Sequence, residues 1–195
     1  MNIERCSWAN TSEYEMKYHD NEWGVPTYDD KVLFEFLILE GQQAGLSWQT
    51  ILKRREGMRE AYYNFDPERL ITLTDVDIEK LLKDNRIIKN RLKVNSVVNN
   101  AKCYFKVIEE YGSLSNFLWS FVDGKPVVNH YKTISEVPAS TQLSDQISKE
   151  LKKIGFKFVG STIIYAFMQA VGMVNDHLIS CFRHSEVWSN KRLLF

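Results

Sequence analysis

The sequence predicts an all-α protein built as one domain, and three observations support this. Its 195 residues suit a single domain, and the composition of 44% hydrophobic residues with 9 glycines and 4 prolines excludes disordered or collagen-like chains. Apolar residues recur at intervals of three and four, the period of helices that bury one face. Strand-like sequence is confined to residues 124–133, where we expect a short hairpin or loop.

Capping residues divide the chain into helices in order. Asp29 or Asp30 can cap a helix over residues 31–40, which is apolar on most faces and therefore expected to be buried. The other predicted helices are 48–55 after Ser47, a helix from Pro67 after Asp66, a helix after Asp75, 90–111 ended by Gly112, 145–154 after Ser144, 163–171 opened by Gly160, and a last helix from Asp176 to Arg183.

The formal net charge is zero, which by itself argues against a protein that binds nucleic acid through bulk charge. The distribution is uneven, however. Residues 1–48 carry nine acidic and three basic side chains, a net charge of −6, so residues 49–195 carry +6. Basic runs over 86–93 and 149–157 are either solvated helix faces or local contacts for phosphates.

The N-terminal segment lacks the apolar core of a secretion signal, and no stretch approaches 18 consecutive apolar residues. We therefore expect a cytoplasmic protein that makes no contact with membranes. Three cysteines cannot form a closed set of disulfides, and in a reducing compartment they are thiols or metal ligands.

Two cysteines and two histidines lie near the two ends of the chain, as Cys6, His19, His177 and Cys181. On the predicted last helix, His177 and Cys181 would share one face because they are four residues apart. Four such ligands would fill a tetrahedral zinc site and leave no position for water, so the site would be structural. The alternative is that both cysteines are small buried residues without a metal.

Residues 145–172 predict two helices joined by a glycine-bounded turn. Gly155 ends the first helix, Lys157 lies in the turn, and Gly160 and Ser161 open the second helix, whose free N–H groups could bind phosphate. This is the layout of a helix-hairpin-helix, which holds DNA phosphates without reading sequence. A plain pair of helices is the alternative.

Aromatic residues crowd the N-terminal arm and frame one carboxylate. The arm contains Trp8, Tyr14, Tyr18 and Trp23, and Glu40 and Trp48 follow it. Aromatic faces stack on a flat base and attract a cationic one, and a carboxylate can accept hydrogen bonds from an exocyclic amine. The alternative is that the tryptophans are core residues and Glu40 ends a helix at the surface.

Together these segments resemble the 3-methyladenine DNA glycosylase I family. The matching motifs are ERC-x-W at 4–8, YHDNEWGVP at 18–26, LEGQQAGLSW at 39–48, FDP at 65–67, FLWSFVDGKP at 117–126, GFKFVG at 155–160 and VNDH-x3-C at 174–181. They extend over nearly the whole chain and leave residues 182–195 without an assigned role.

The resemblance implies an all-α, two-lobed glycosylase fold of the helix-hairpin-helix superfamily, formed by one domain over residues 1–195. It implies hydrolysis of the N-glycosidic bond of N3-methyladenine in alkylated double-stranded DNA with the base flipped out, the first step of base excision repair. The implied zinc ligands are Cys6, His19, His177 and Cys181. In the base site, Glu40 is the catalytic residue and Tyr18, Trp48, Trp8 and Trp23 bind the base. By position we expect DNA contacts from Gln42, Gln43, Gly45, Leu46, Gly155, Lys157, Gly160 and Ser161, with Leu46 as a wedge, and a monomeric enzyme.

Two departures from the superfamily concern the chemistry. Asn175 stands where most members carry an aspartate that promotes base departure, and Thr162 stands where bifunctional members carry a lysine nucleophile. We therefore expect a monofunctional enzyme without lyase activity. N3-methyladenine in DNA is already cationic and leaves as a neutral purine, so less of the barrier is left for a carboxylate to lower.

Two hypotheses from other classes stay open. A zinc-stabilised DNA-binding module without activity would explain the missing aspartate, and release of free base distinguishes it from an enzyme. A zinc hydrolase would need an open coordination position, which four protein ligands would close.

Overall fold

The computed structural model describes residues 3–189, and over this range the all-α prediction is confirmed. The helices are α1 (Glu13–Asn21), α2 (Asp30–Gln43), α3 (Trp48–Ala61), α4 (Pro67–Leu70), α5 (Asp75–Leu81), α6 (Arg91–Tyr111), α7 (Leu114–Trp119), α8 (Gln142–Ile154), α9 (Ser161–Ala170) and α10 (Phe182–Ser189). Short 3-10 helices cover Ser7–Asn10, Tyr63–Phe65, Ser120–Val122 and Ile134–Glu136. No helix in the described range has the length and apolar character needed to cross a membrane.

Helix α2 lies at the centre of the fold. Asp29 caps it by accepting hydrogen bonds from the N–H groups of Lys31 and Val32, as the sequence predicted. Its apolar residues are buried on all sides, because α3, α6, α7 and α9 pack around it. Burial extends to its last turn, where Glu40 and Gln42 are also enclosed.

Two predicted caps are wrong by a few residues. The cap of α5 is Thr74, and Asp75 is the first residue of that helix. The cap of α8 is Thr141, and Ser144 is its third residue, where the two side chains bond each other's backbone N–H groups in a capping box. In both helices a threonine upstream adopts the extended backbone that a cap requires.

Of the two alternatives predicted for 124–133, a hairpin or a loop, the hairpin is wrong, and so is the predicted helix from Asp176 to Arg183. Val127–Val128 and Val174–Asn175 instead form two short parallel strands, β1 and β2, that pair with each other. This pairing holds the chain extended up to Asn175, and the helix begins only at Phe182. His177 and Cys181 therefore lie in the loop between β2 and α10.

The predicted division into two lobes within one domain over 1–195 stays a prediction. Helix α10 covers the first part of the unassigned tail, and residues 190–195 lie outside the described range. The Phe182 N–H donates to the Glu4 carbonyl, so the start of α10 is attached to the N-terminal segment. This contact brings the two ends of the chain together.

Candidate functional site: a buried Cys2His2 cluster beside an aromatic cleft

Cys6, His19, His177 and Cys181 converge in one buried cluster. One potential ligand atom from each lies within 4.8 Å of the others. The Cys181 Sγ lies 3.4 Å from His19 Nε2 and 3.6 Å from His177 Nδ1, and the Cys6 Sγ lies 3.7 Å from His177 Nδ1. Zinc bonds of roughly 2.0–2.3 Å would place neighbouring ligands of a tetrahedron about 3.3–3.8 Å apart. The cluster therefore has the size of a tetrahedral metal site.

The hydrogen bonds behind the cluster set the imidazoles for metal binding. His19 Nδ1 lies 2.8 Å from the Asp20 carboxylate, and His177 Nε2 lies 3.0 Å from the Trp23 carbonyl. Both partners accept hydrogen bonds, so these nitrogens carry the protons and the opposite nitrogens present lone pairs to the cluster. Burial lowers the pKa of His177, which favours the neutral ring that a metal needs.

A cleft of about 450 Å³ opens next to the cluster. Its lining comes from helices α1 to α3 with Trp8 and Trp23, and from the segment 134–139, helix α9 and Asp176. All five residues of the predicted base site, Trp8, Tyr18, Trp23, Glu40 and Trp48, line it. Their rings lie against one another, with centroid distances of 5.3 Å for Tyr18 and Trp48 and 5.0 Å for Trp8 and Trp23.

Three polar groups in this cleft are buried without a partner. They are the Glu40 Oε2 atom, the Tyr18 hydroxyl and the Trp48 Nε1–H group. Glu40 is only 4% exposed, and this burial raises the pKa of its carboxyl group to about 8. Unsatisfied buried polar atoms are costly in a folded protein, so their convergence in one cleft indicates a ligand that supplies the missing hydrogen bonds.

Asp176 is a cleft residue to which the sequence analysis assigned no role. Its carboxylate accepts hydrogen bonds from Asn129 Nδ2 at 2.6 Å, Tyr165 Oη at 2.5 Å and Gln169 Nε2 at 2.8 Å. The neighbouring Asn175 points elsewhere, since its side chain bonds the His184 carbonyl and the His177 N–H. An acid directly before a candidate metal ligand was the available signal in the sequence, but only the fold shows which way each side chain points.

The residues around the end of α2 that were predicted to contact DNA differ in their exposure to solvent. Gly45 and Leu46 are exposed, and Gln43 lines the cleft. Gln42 is instead 1% exposed, and its amide donates to the Lys93 carbonyl at 3.1 Å. Gln43 therefore lines the cleft, Gly45 and Leu46 are exposed in the loop that follows, and Gln42 is enclosed in the interior.

The turn between α8 and α9 has the features expected of the predicted hairpin. Gly155 ends α8 with a φ of 112°, and Gly160 precedes the first turn of α9. Lys157 is exposed, whereas the Ser161 hydroxyl lies 2.8 Å from that of Ser144. A surface cleft beside this turn is lined by Asp145, Ser148, Ser161 and the lysines at 149, 152 and 153.

Comparisons with known proteins place these features in context. The sequence model of the methyladenine glycosylase family matches residues 8–184. The chain is 49% identical to DNA-3-methyladenine glycosylase 1 of Escherichia coli (strain K12) over 179 residues, which is 92% of this chain and 96% of that protein. It is 46% identical to DNA-3-methyladenine glycosylase of Haemophilus influenzae over 177 residues, 91% of this chain and 96% of the relative.

Solved structures agree with this similarity. A crystal structure of 3-methyladenine DNA glycosylase I superposes with a TM-score of 0.90 at 47% identity, covering 92% of this chain and 98% of that one. The enzyme from Staphylococcus aureus, whose structure describes recognition of 3-methyladenine, superposes with a TM-score of 0.89 at 41% identity, covering 92% and 95% of the two chains. The range matched by the family model includes all the cleft residues and His19, His177 and Cys181 of the cluster.

Proposed function

The chain belongs to the methyladenine glycosylase family, and on that premise we propose that it is a monofunctional DNA glycosylase that hydrolyses the N-glycosidic bond of N3-methyladenine in alkylated DNA. The observation that carries the proposal is the buried Glu40 carboxyl group, unpartnered among aromatic rings. A flipped-out purine would fill such a cleft and supply the missing donors. Release of the base would start base excision repair.

Glu40 is the residue that distinguishes a cationic base from a neutral one. With a pKa of about 8, its carboxyl group is mostly protonated at neutral pH in the empty cleft. A positively charged base, with an exocyclic amine to donate a hydrogen bond, stabilises the ionised form and couples binding to loss of that proton. A neutral adenine offers no such charge, so the site discriminates against undamaged DNA.

The aromatic residues provide the flat surfaces of the base site. Tyr18 and Trp48 present their rings together with one unpartnered donor each, so each can either stack on the base or donate a hydrogen bond to its polar edge. Trp8 and Trp23 extend the same wall toward the metal cluster. The ring walls exclude water from the base, which strengthens its attraction to Glu40.

The glycosidic bond needs limited assistance because the departing base carries the positive charge and leaves as a neutral purine. Water is the nucleophile that takes its place on the sugar. Thr162 lines the cleft and has no amine, so no Schiff base forms at this position and no strand cleavage is expected. Asn175 is held away by its bonds to the His184 carbonyl and the His177 N–H and plays no part in base departure.

The DNA would be held by two surface loops. Leu46, exposed in the loop after α2, would fill the gap that the flipped base leaves, with Gly45 in the same loop and Gln43 at the end of α2. The predicted contact from Gln42 is wrong, because its side chain is buried against α6. The turn from Gly155 to Ser161 would act as the helix-hairpin-helix, with N–H groups and Lys157 facing phosphates. Local lysines therefore bind the backbone, while the acidic N-terminal arm suits a cationic base.

The buried cluster would hold one zinc ion through Cys6, His19, His177 and Cys181. The size of the cluster, its burial and the orientation of both imidazoles support this assignment. When bound, zinc would act as a structural cross-link between the N-terminal arm and the loop before α10. We further propose a cytoplasmic enzyme that acts as a monomer on double-stranded DNA.

A base-release assay tests the proposed function. The metal-loaded protein is incubated with methylated duplex DNA, and we expect free 3-methyladenine and abasic sites without strand cleavage. A Glu40→Gln variant should lose about 100-fold in kcat/KM, an effect of the size seen when one transition-state interaction is removed, while Glu109→Gln, an exposed acid on α6, should be unaffected.

The same assay decides against the alternatives. DNA binding without base release from a folded, metal-loaded sample would indicate a DNA-binding module and refute the enzyme. Full activity of Glu40→Gln would refute the role of this carboxyl group. Loss of activity on chelation while the protein stays folded would favour a zinc hydrolase.

A further inference from the structure

Lys93, near the start of α6, is a buried lysine that the proposed mechanism does not use. It is 5% exposed, and none of the ion pairs formed by the described residues involves it. Its Nζ atom instead donates to two backbone carbonyls, those of Gln42 at 2.7 Å and Ala44 at 2.6 Å. A buried ammonium group bound only to carbonyls needs an explanation, because burying a charge is costly.

The position of the ammonium group supplies that explanation. Gln42 is in the last turn of α2 and Ala44 is the residue that caps it, so both carbonyls lie where a helix leaves acceptors unsatisfied and carries partial negative charge. The Gln42 amide donates back to the Lys93 carbonyl at 3.1 Å. The two residues thus fasten the end of α2 to the start of α6 reciprocally.

The segment leaving this junction is the loop that carries Leu46. The Leu46 N–H bonds the Gln43 carbonyl at 2.6 Å, and Gly45 adopts a φ of 76° to make this tight turn. No atom outside its two chain neighbours lies within 4 Å of a Cβ built on Gly45, so the loop is unpacked at this residue. Its direction is therefore determined at its base, where Lys93 binds.

Helix α6 also holds the second DNA-binding loop. Asn100, two turns beyond Lys93, accepts a hydrogen bond from the Lys157 N–H at 2.8 Å and donates to the Lys157 carbonyl at 3.0 Å. Directly beside this contact, Gly41 of α2 lies so close to Phe158 that a Cβ on the glycine would come within 3.1 Å of the Phe158 Cβ. One helix thus sets the spacing between the Leu46 loop and the hairpin.

We propose that Lys93 is a positioning residue for base extrusion, which holds the Leu46 loop at the spacing from the hairpin that duplex DNA requires. The inference rests on the proposed function. Lys93 touches neither the cleft nor the surface, so it acts through the loop and leaves the base site intact. Its removal should weaken productive engagement of duplex DNA and leave binding of the free base unchanged.

The test compares Lys93→Met, which keeps the aliphatic stem, with Lys102→Met, an exposed lysine on the same helix. Loss of the charged hydrogen bonds should lower kcat/KM on methylated duplex DNA by about tenfold, mainly through KM. Binding of free 3-methyladenine, followed by tryptophan fluorescence, should match the parent protein. Lys102→Met should match it in both measurements.

Two further variants separate positioning from folding. Leu46→Ala should lower kcat/KM on methylated duplex DNA much less in the Lys93→Met background than in the parent protein, because both changes disable the same loop. Gly45→Ala disturbs the exposed turn without touching the core and should show the same pattern of weakened duplex engagement with normal base binding.

Each outcome bears on one proposal. Unchanged KM in Lys93→Met, additive effects with Leu46→Ala, or an equal loss of free-base binding would overturn the positioning role. Absence of base release by the parent protein would overturn the proposed function instead, and the two failures are therefore distinguishable.

Discussion

The buried cluster and the aromatic cleft are adjacent, yet their polar groups differ in whether they have hydrogen-bond partners. His19 and Tyr18 are neighbours on α1, one facing the cluster and the other the cleft. In the cluster, both imidazoles are bonded from behind by a carboxylate or a carbonyl. In the cleft, Tyr18, Glu40 and Trp48 each keep a buried polar atom without a partner. The first arrangement suits a permanently bound metal ion. The second suits a ligand that binds transiently and supplies the missing hydrogen bonds.

Breaking the cluster should have the largest effect, because it would remove a cross-link between the two ends of the chain. We expect Cys6→Ser to lose bound zinc and to lower the free energy of unfolding by about 5 kcal/mol or more. Cys103→Ser is the matched control, since Cys103 is equally buried but lies outside the cluster. Metal analysis and thermal melting of both variants check this, and unchanged zinc content in Cys6→Ser would refute the assignment.

Neutralising Glu40 should have the opposite effect on stability at alkaline pH. The pKa of the folded carboxyl group is raised to about 8 from the usual 4.5, so the folded state holds this proton more tightly than the unfolded state. The contribution of Glu40 to stability is present below about pH 4.5 and is lost as the pH rises through 8. Glu40→Gln does not titrate and should be more stable than the parent at pH 9, by on the order of a few kcal/mol.

Urea unfolding of both proteins at pH 5 and pH 9 measures this difference. The difference in free energy of unfolding between Glu40→Gln and the parent protein should be larger at pH 9 than at pH 5, because only the parent must bury a charge at pH 9. Parallel behaviour at the two pH values would mean that Glu40 is not desolvated in the folded protein.

The smallest effect is expected for Tyr18→Phe, which removes one unpartnered hydroxyl. Without a hydrogen bond to lose, the free protein should keep its stability or gain about 1 kcal/mol. Binding of 3-methyladenine should weaken severalfold if that hydroxyl bonds the base. Calorimetric titration and melting curves of the variant test both parts, and a stability loss without a binding change would place Tyr18 with the core instead.

Local signals explain which parts of the fold could be predicted. Ser47 and Gly112 act as caps where the sequence placed them, and Asp29 caps α2 as one of its two predicted candidates, because a cap needs only its own backbone and the adjacent turn. The predicted helix from Asp176 failed because β2 pairs with β1, which is almost 50 residues away in the chain. Such long-range pairing leaves no local pattern to read.

The candidate site divides in the same way. Residue types made the four cluster residues and the five cleft residues candidates, and the family resemblance selected them. The structure places each set together. The segment 134–139 and Asp176 were missed as cleft walls, because nothing in their composition indicates that they face Glu40. Lys93 was read as part of a basic surface run, although its ammonium group is enclosed by backbone carbonyls.

The sequence by itself determined the helical fold class, most of the caps and the chemical types available for metal and base binding, since these depend on side-chain chemistry and local periodicity. The tertiary structure alone decided which buried polar groups are satisfied. Three donors bond the Asp176 carboxylate, and two backbone carbonyls accept hydrogen bonds from the Lys93 ammonium group. The buried Glu40 Oε2 atom has no hydrogen-bond partner. Hydrogen-bond partners and exclusion of water come from elements far apart in the chain. They make the Asp176 carboxylate a hydrogen-bonded part of the cleft wall, and they leave Glu40 as an unpartnered group with a raised pKa.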